Sequence, residues 1–417
     1  MAYDRRTFIK TGAALVAGTA AGCAGSGASA VKSGSDALLS GAVGSGDVPG
    51  VVAALTTPSQ TIYQGAFGVR VLGQPAAMSM DTVMWIASMT KPVVGVAAMQ
   101  LVEQGRIGLD DPAAKIIPEL GTFKVLDGWE ADGKPRLRDP KAPITLRNLL
   151  THSAGFTYDI WNPDMARFHK VMNVPRAGSG RNIALRLPLS FDPGTRWEYG
   201  INIDWAGKMI EQVSGMRLGQ YIQKNITGPL GMDSTAFRIT PDMRARLAKV
   251  HARGDDGKLS VTPFEVPQDP EFEPGGGGLY STADDYQRFM RMILNDGRGN
   301  GNRIVSRETV DLMSRNSMGN LRVRMLPTQA PALSRDAEFF PGQAKTWGLS
   351  FMINEERAPT GRSPGSLAWA GLANTYFWID PTKAIAGVIM MQILPFVDAK
   401  SLALFTAYEK GVYAALA

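Results

Sequence analysis

The sequence predicts a mixed fold of β-strands and α-helices, with strand-like segments concentrated at the two ends of the chain. Near the amino terminus, two apolar runs, 51–56 and 61–67, flank Pro58-Ser59-Gln60 in a pattern typical of a β-hairpin. The last hundred residues contain four further strand-like runs separated by turn signals. A chain of 417 residues can hold two or three domains, but one domain interrupted by a helical insertion fits the pattern equally well.

The individual elements follow from periodicity and from their end signals. The apolar stretch 93–102 predicts a buried helix that begins at Ser88 and ends at Gly105. Further helices are predicted at 146–150 after the capping residue Thr145, at 205–213, at 283–294 and from about 400 to 414. Strands are predicted at 347–353, 367–370, 375–379 and 385–393. Residues 325–345 contain three prolines and little periodicity, which indicates a long loop able to act as a lid.

Composition places the chain among soluble globular proteins. Apolar residues make up 44% of the chain and charged residues 20%. The formal net charge is +6, and the first 22 residues carry three basic residues and one acidic residue, so the remainder has a charge of about +4. Because the basic residues form no stripe or cluster, nucleic acid is not an expected partner.

The amino-terminal residues 1–22 are typical of an export signal rather than of a folded domain. Arg5 and Arg6 lie in a segment that resembles a twin-arginine signal, and the apolar run 13–21 is too short to span a bilayer. Cys23 is the single cysteine and follows Ala-Ala-Gly, which resembles a lipoprotein processing site. We therefore predict a periplasmic or cell-envelope protein, with contact to the membrane only through a lipid on Cys23, and a flexible tether at 23–40.

The tetrapeptide Ser88-Met89-Thr90-Lys91 matches the S-x-x-K motif of serine acyl-enzymes. Two residues three apart in a helix share one face, so the Ser88 hydroxyl and the Lys91 amine should lie within hydrogen-bonding reach. The helix amino terminus favours an alkoxide and directs the Ser88 backbone N–H at the oxygen of an attacked carbonyl. Burial of the helix should lower the pKa of Lys91 toward that of a neutral base. The motif is short, and a chance match on a core helix is the alternative.

Tyr199 is the third candidate catalytic residue. It follows a Pro-Gly turn and directly precedes a predicted helix. A tyrosine near a lysine and a serine can pass a proton, because a positive neighbour lowers the pKa of its phenol. A structural role in the core is the alternative for a lone tyrosine at such a position.

Other motifs were weighed against these three residues. His152 is one of three histidines and is expected to satisfy backbone groups, since S-x-x-K already supplies a base. Phe156 and Tyr158 either line an apolar acyl pocket or pack in the core. The glycines at 275–278 lack the G-K-[ST] of a phosphate loop and indicate close backbone packing beside a site. No metal-binding motif occurs, and neither a metal nor another cofactor is predicted.

Ser363 lies in a literal G-x-S-x-G sequence and competes with Ser88 as a nucleophile. The nucleophile elbow of α/β-hydrolases needs a strand before the serine and a helix after it. Here Pro364 and a further strand follow, so we predict that Ser363 is not catalytic.

Several separated motifs occur in a fixed order along the chain. They are Ser88-x-x-Lys91, 151–155, Tyr199 after Pro-Gly-Thr-x-Trp, 275–282 and Trp369-Ala370-Gly371. In this combination the sequence resembles the serine β-lactamase-related superfamily, particularly class C β-lactamases and family VIII carboxylesterases. The resemblance extends from about residue 48 to the carboxyl terminus and rests on no single short motif.

The resemblance implies a β-lactamase/transpeptidase-like fold. An antiparallel sheet built from both chain ends and flanked by N- and C-terminal helices is expected for 41–115 and 340–417, with a mostly helical domain inserted at 116–339 and the site in the cleft between. It also implies that the backbone N–H of Leu372 completes an oxyanion hole with that of Ser88, and that Trp369, Gly371 and Asn202 contact the substrate.

Two departures from the lactamase pattern bear on the substrate. The Y-x-N motif requires asparagine at 201, where this chain has Ile201 and places Asn202 one position late. The third motif begins with lysine in lactamases and with Trp369 here, as in many esterase-like relatives. Both differences remove polar groups that would engage a β-lactam, whereas acyl-enzyme chemistry does not depend on them.

We therefore predict a serine hydrolase that forms an acyl-enzyme with a small-molecule acyl substrate, most simply a short-chain carboxylic ester. Ser88 attacks, Lys91 and Tyr199 share the proton, and water releases the acid. A β-lactamase, a D-amino-acid peptidase and a short-amide hydrolase are the alternatives within the same chemistry. The non-enzymatic alternative is a penicillin-binding-type protein that traps an acyl group without turnover.

Overall fold

The computed structural model describes the backbone of residues 17–417 and the side chains of residues 27–417. Arg5 and Arg6 lie outside the described residues, as does the side chain of Cys23, so the export and lipidation predictions stay predictions. Among the helices of the described residues, none is long and apolar enough to cross a membrane.

Eleven α-helices run through residues 17–417. They are α1 (Ala17–Gly44), α2 (Thr90–Glu103), α3 (Leu146–Leu150), α4 (Pro163–Met172), α5 (Asn202–Ser214), α6 (Leu218–Ile222), α7 (Gly228–Leu230), α8 (Pro241–Ala245), α9 (Ala283–Leu294), α10 (Arg307–Met313) and α11 (Ala399–Ala415). The predicted capping residue Thr145 does cap α3, since its side chain accepts a hydrogen bond from the Asn148 N–H. Gly215 ends α5 in the left-handed conformation at φ 72°, as expected of a C-terminal glycine.

Sixteen strands complete the regular structure of the same residues. They are β1 (Gly50–Thr56), β2 (Thr61–Gly68), β3 (Met84–Trp85), β4 (Val125–Trp129), β5 (Pro135–Arg138), β6 (His251–Arg253), β7 (Leu259–Val261), β8 (Tyr280–Ser281), β9 (Arg298–Gly299), β10 (Asn302–Arg303), β11 (Lys345–Trp347), β12 (Met352–Asn354), β13 (Leu367–Gly371), β14 (Thr375–Asp380), β15 (Ile385–Met390) and β16 (Ile393–Leu394).

A seven-stranded sheet forms the centre of the molecule, in the order β11-β12-β13-β14-β15-β1-β2. Every neighbouring pair is antiparallel, and β1 pairs directly with β15 in a register that places Val52 opposite Met390. The sheet is therefore built from both ends of the chain, with helices on each side, as the resemblance implies.

Helices cover both faces of the sheet because consecutive side chains of a strand point to opposite faces. On β14, Tyr376 stacks on Phe405 of α11 with ring centroids 4.5 Å apart. The next residue, Phe377, points to the other face and packs against Tyr286 of α9 at 5.3 Å. This double coverage explains why β1, β13, β14 and β15 are buried along their whole length instead of alternating between buried and exposed residues.

The helix that follows Ser88 lies in the interior. All residues of α2 from Thr90 to Leu101 are buried, which agrees with the apolar run from which a core helix was predicted. Gly95 allows the 348–351 turn to approach closely, since a Cβ atom there would lie 2.5 Å from the Ser350 Oγ. A helix that is buried from Thr90 to Leu101 thus carries Lys91 in its first turn.

The predicted flexible tether at 23–40 is wrong, because this segment lies within α1. Val31 and Leu39 are almost completely buried, and the helix packs against β2 and α11. The Tyr63 hydroxyl of β2 also donates a 2.9 Å hydrogen bond to Asp36. The Gly, Ser and Ala content favoured a tether, but apolar residues eight apart share one helix face, and that face supplies the burial that stabilises the helix.

Two smaller predictions are also corrected. The single strand predicted at 347–353 is a hairpin of β11 and β12, because the Gly348 N–H bonds to the Phe351 carbonyl and closes a turn. The helix α9 falls inside the range 116–339 assigned to the helical domain, yet it packs on β1 and β15 of the sheet. The segment before residue 340 therefore contributes to the sheet layers as well as to the inserted helices.

Candidate active site

Ser88 lies in a tight turn directly before α2. The turn, Ala87–Met89, is a 3-10 helix, so the α-helix begins at Thr90 rather than at Ser88. Ala87 adopts a φ of 44°, which is uncommon for a residue with a Cβ atom and stores strain of roughly 1 kcal/mol or more. The strained residue immediately precedes the Ser88 hydroxyl and fixes its direction.

Lys91 is completely buried and points at Ser88. Its Nζ lies 3.2 Å from the Ser88 Oγ, 3.2 Å from the Tyr158 hydroxyl oxygen and 2.5 Å from the Gly276 carbonyl oxygen. An ammonium can donate to all three acceptors. A neutral amine has two protons and one lone pair, so it can donate to two of them and accept the proton of the Ser88 hydroxyl.

Burial lowers the pKa of Lys91 to about 7, with the negative charge of Asp204 acting in the opposite direction. Near neutral pH a substantial fraction of Lys91 is therefore the free amine, the form that a general base must have. This agrees with the shift that the apolar sequence of α2 predicts.

Tyr199 lies close to both Ser88 and Lys91. Its hydroxyl oxygen accepts a 2.8 Å hydrogen bond from the Trp369 Nε1–H, and the Ser88 hydroxyl is near enough to lower the pKa of the phenol. The Lys91 Nζ lies 4.5 Å from the centre of the Tyr199 ring. The polar groups of Lys91, Ser88, Tyr199 and Trp369 are thus grouped at one site.

The pKa expected for Tyr199 is wrong in direction. The sequence predicts that a positive neighbour lowers the pKa of Tyr199, but burial raises it, and the nearby Ser88 hydroxyl and Trp369 indole only partly oppose the effect. Removal from water disfavours a phenolate more than these two groups stabilise it. Tyr199 is accordingly a neutral phenol that can donate a proton, while Lys91 is the group suited to accept one.

Tyr158 lies beside Lys91, and its predicted place on the rim of an acyl pocket stays a prediction. Its hydroxyl contacts the Lys91 amine, and its ring lies 5.5 Å from that of Tyr199. Burial, together with the nearby carboxylate of Asp204, raises its pKa well above the ordinary value. Tyr158 therefore remains a neutral hydrogen-bonding partner of the base.

The glycines at 275–278 pack against the Ser88 turn, as their sequence predicts. The Gly276 carbonyl accepts from Lys91, and the Gly277 carbonyl accepts a 2.7 Å hydrogen bond from the Trp85 Nε1–H. The Gly276 N–H donates to Asp204 Oδ1 at 2.8 Å. Asp204 was missed from the sequence because the helix was expected to begin at Trp205. An aspartate on the buried face of an otherwise apolar helix is the signal that could have revealed it.

The third motif brings β13 against the nucleophile turn. A Cβ atom on Gly371 would lie 2.3 Å from the Ile86 carbonyl oxygen, so a glycine is required for this approach. Leu372, the next residue, packs against an apolar cluster that includes Ala87. The contact of Gly371 with Ile86 brings this end of β13 to the Ser88 turn, and the role of the Leu372 N–H in an oxyanion hole stays a prediction. Gly371 itself faces Ile86, and Trp369 is 5% exposed and bound to Tyr199.

Two predicted substrate contacts are corrected by the structure. Asn202 is completely buried, and its Nδ2 bonds to the Phe156 carbonyl at 3.0 Å and to the His152 Nδ1 at 3.1 Å. Phe156 is also completely buried and packs against Trp205. Asn202 has become the first residue of α5, so its amide ties that helix to the 152–156 loop and faces no open surface.

His152 serves the backbone, as predicted. Its Nδ1 accepts from the Gly200 N–H at 3.4 Å, and its ring packs 4.6 Å from that of Tyr199. Burial and the proximity of Lys91 lower the pKa of His152, so its ring is neutral. Its role is to hold the segment of Tyr199 and Gly200 in place through ring packing and a backbone hydrogen bond.

Ser363 lies away from this cluster, in a structural ion-pair network. Its N–H donates to Asp380 Oδ2 at 2.9 Å, and the neighbouring Arg362 pairs with Glu409 of α11 at 2.7 Å. No histidine or lysine hydrogen-bonds to the Ser363 hydroxyl within residues 27–417. The G-x-S-x-G sequence thus connects the sheet to α11.

The predicted long loop at 325–345 is a folded arm beside the site. Leu326 and Ala337 pair as an isolated bridge, and the Ser334 hydroxyl accepts a 3.0 Å hydrogen bond from Trp161. Phe339 packs edge-on against Trp369 at 5.9 Å. The arm therefore closes one side of the Tyr199–Trp369 pair, and movement of the arm as a lid stays a prediction.

Comparison with known proteins agrees with this geometry. The Beta-lactamase family model matches residues 35–408. A monacolin J acid methylbutanoyltransferase of Aspergillus terreus is 30% identical over 89% of this chain and 93% of its own length. A lovastatin esterase of Penicillium rubens is 32% identical over 86% of this chain and 92% of its own length.

Solved structures show the same fold. A LovD6 mutant of simvastatin synthase (LovD) from Aspergillus terreus superposes with a TM-score of 0.79 at 29% identity, covering 92% of this chain and 94% of that one. EstCE1, described as a hydrolase with promiscuous acyltransferase activity, gives a TM-score of 0.74 at 22% identity, covering 93% of this chain and 99% of that one. The chain therefore belongs to the beta-lactamase family and has the β-lactamase/transpeptidase-like fold. Its relatives include both acyltransferases and an esterase.

Proposed function

We propose that the protein is a serine carboxylesterase that works through an acyl-enzyme on Ser88. The observation that carries this proposal is the position of the Ser88 Oγ, which lies 3.2 Å from the Nζ of the completely buried Lys91 and close to the Tyr199 phenol. A serine needs an adjacent base to become a nucleophile, and the amine of low pKa meets that need. Membership of a family that contains esterases and acyltransferases supports the same chemistry.

Acylation follows from the order of these groups. The neutral amine of Lys91 takes the Ser88 proton as the Oγ attacks the ester carbonyl, and the carbonyl oxygen becomes negative. The N–H groups of Ser88 and Leu372 are the donors proposed for this oxyanion. The C–O bond to the alcohol then breaks, and the Tyr199 phenol donates its proton to the departing oxygen. The proton held by Lys91 then returns to the Tyr199 oxygen, whose ring centre lies 4.5 Å from the Lys91 Nζ.

Deacylation reverses these steps with a second nucleophile. For an esterase this is water, whose proton passes to Lys91 while the Ser88 oxygen leaves and is reprotonated. An alcohol can attack the same acyl-enzyme, and the product is then a new ester. Acyl transfer is the second candidate function, because the relatives include an enzyme described as a methylbutanoyltransferase.

Product analysis distinguishes these candidates. The purified protein is incubated with p-nitrophenyl butyrate, with and without 1-butanol, and nitrophenol, butyric acid and butyl butyrate are quantified. An esterase forms butyric acid in the same amount as nitrophenol at all butanol concentrations. An acyltransferase forms butyl butyrate at the expense of the acid, and nitrophenol release accelerates if deacylation limits the rate.

Two controls complete this experiment. Ser88→Ala should abolish every product, whereas Ser363→Ala should release nitrophenol at nearly the wild-type rate. Release of one equivalent of nitrophenol followed by no turnover would contradict both candidates and indicate an acyl-trapping protein.

A further inference from the structure

Asp204 is a buried carboxylate that the chemistry of Ser88, Lys91 and Tyr199 does not itself use. It lies in the first turn of α5 and is 2% exposed. Its Oδ1 accepts the Gly276 N–H at 2.8 Å, while its Oδ2 is buried and has no hydrogen-bond partner within the described residues. A buried charge without a full set of partners is costly, so its retention calls for a role.

The backbone of Gly276 connects Asp204 to Lys91. On one side its N–H is held by Asp204, and on the other its carbonyl oxygen accepts from the Lys91 Nζ at 2.5 Å. A Cβ atom on Gly276 would lie 2.6 Å from Asp204 Oδ2 and 2.8 Å from the Tyr158 hydroxyl. Asp204, the Gly276 peptide and Tyr158 thus pack together around one side of the Lys91 amine.

We propose that Asp204 is a positioning residue for Lys91, which holds the Gly276 carbonyl against the amine and places a negative charge beside it. The proposal rests on the proposed serine acyl-enzyme function, because Lys91 must act as the base for Ser88. It assigns to Asp204 two separable effects, a hydrogen bond and a charge.

The charge has a defined sign of effect. Burial lowers the pKa of Lys91, and the negative charge of Asp204 opposes this by raising the pKa toward its ordinary value. Burial raises the pKa of Asp204, while Lys91 and the Gly276 N–H oppose that change. Without the carboxylate, the pKa of Lys91 falls further, the free amine persists to lower pH, and it is a weaker base.

The other groups around Lys91 do not supply a compensating charge. Tyr158 and Tyr199 are kept as phenols by burial, which raises their pKa values. His152 is kept neutral, because burial and the proximity of Lys91 lower its pKa. The carboxylate of Asp159, close to Tyr158, is paired with Arg176 at 2.6 Å.

The test measures activation of Ser88 directly and needs no natural substrate. A fluorophosphonate probe labels an activated serine, and its rate of reaction with the protein is followed from pH 5 to 9 by intact-mass spectrometry. In the wild type the labelling rate should fall as the pH drops through about 7, the pKa of Lys91.

Asp204→Asn and Asp204→Ala separate the two effects. Asparagine keeps an oxygen for the Gly276 N–H but removes the charge. The acid limb, which is the fall of the labelling rate at low pH, should therefore move to lower pH by about 1 unit, the low end of the shift that an opposite charge typically produces. Alanine removes both, so the labelling rate on the plateau should fall by a further factor of about 10 or more. KM for p-nitrophenyl butyrate should change little in either variant, since Asp204 does not reach the acyl group.

Asp285→Asn is the matched control. Asp285 is a buried aspartate on α9 that accepts hydrogen bonds from the Ser234 N–H and the Thr235 hydroxyl, and its charge is not among those that shift the pKa of Lys91. Its variant should retain the wild-type pH profile even if its thermal unfolding temperature falls.

The outcomes distinguish two failures. If the wild-type protein is not labelled at Ser88 at any pH, the proposed serine acyl-enzyme function fails. If the wild type is labelled with an acid limb, but Asp204→Asn keeps the same limb or moves it to higher pH, the role of Asp204 is refuted while the function stands.

Discussion

Replacing Trp369 with phenylalanine tests whether Tyr199 takes part in proton transfer. The Trp369 indole N–H donates a 2.8 Å hydrogen bond to the Tyr199 hydroxyl oxygen, which must carry negative charge when the phenol gives up its proton. Phenylalanine keeps an aromatic wall beside the site but cannot donate. The Trp369→Phe variant therefore removes the hydrogen bond that stabilises that charge, together with part of the packing against Phe339 and Trp347.

The magnitude follows from the charge on the acceptor. A hydrogen bond to a charged group contributes about 1.5–3 kcal/mol, compared with about 0.5–1.5 kcal/mol for a bond between neutral groups. If the Tyr199 oxygen develops a full charge in the transition state, kcat/KM should fall by roughly 10- to 150-fold. The loss should be in kcat, because Trp369 is 5% exposed and its hydrogen bond is directed at Tyr199 rather than at the bound ester.

The chain offers a matched control in Trp347. It is completely buried, its ring lies 4.7 Å from that of Trp369, and its own indole N–H has no hydrogen-bond partner within the described residues. Steady-state hydrolysis of p-nitrophenyl butyrate is measured for both variants, with thermal unfolding as the check on folding. We expect Trp347→Phe to lose no more than about 3-fold in kcat/KM. Equal losses in the two variants, or full activity of Trp369→Phe, would refute a proton-transfer role for Tyr199.

Two further predictions concern substrate and location. p-Nitrophenyl butyrate should be turned over with a higher kcat/KM than nitrocefin, because Trp369 and Ile201 replace polar groups that lactamases use. The loss of two charge-assisted hydrogen bonds should lower kcat/KM for the lactam by roughly 10²- to 10⁴-fold. A higher kcat/KM for nitrocefin would replace the esterase proposal with a lactamase. Replacing Arg5 and Arg6 with lysine should retain the precursor in the cytoplasm. Cys23→Ser should move the exported protein from the membrane to the soluble fraction. Unchanged fractionation of the first variant would contradict the export prediction, and of the second the lipidation prediction.

The sequence predicts the core of this fold well because its strongest signals are local. Unbroken apolar runs identify β1, β14 and α2, and the cap at Thr145 places α3 to the residue. The segment 23–40 is the clearest failure. Its composition is that of a linker, and only the apolar pair Val31 and Leu39, on a face covered by other parts of the chain, stabilises it as a helix.

The site shows the same division between local and non-local signals. The spacing of Ser88 and Lys91 on one turn predicts their contact, and the structure places the atoms 3.2 Å apart. The partners of Lys91 that come from distant segments could not be derived from spacing. Gly276 contributes a backbone carbonyl, which no side-chain pattern reveals, and Asp204 depends on where α5 begins.

The pKa of Tyr199 could not be predicted for a physical reason. Sequence spacing indicates which charges are near a phenol, but the degree of burial decides the sign of the shift, and burial depends on tertiary packing. Tyr199 is 1% exposed among aromatic rings from three separate segments. In the proposed mechanism the lysine is therefore the base and the tyrosine the proton donor.

Intact-mass spectrometry during ester turnover tests the central claim most directly. The protein is mixed with p-nitrophenyl butyrate and quenched in acid within the first turnovers, and the modified peptide is mapped. We predict a gain of one butyryl group on Ser88 in the wild type and in Ser363→Ala, with none in Ser88→Ala, alongside continued release of nitrophenol. A butyryl group on Ser363, or undiminished nitrophenol release by Ser88→Ala, would contradict the assignment of Ser88 as the nucleophile.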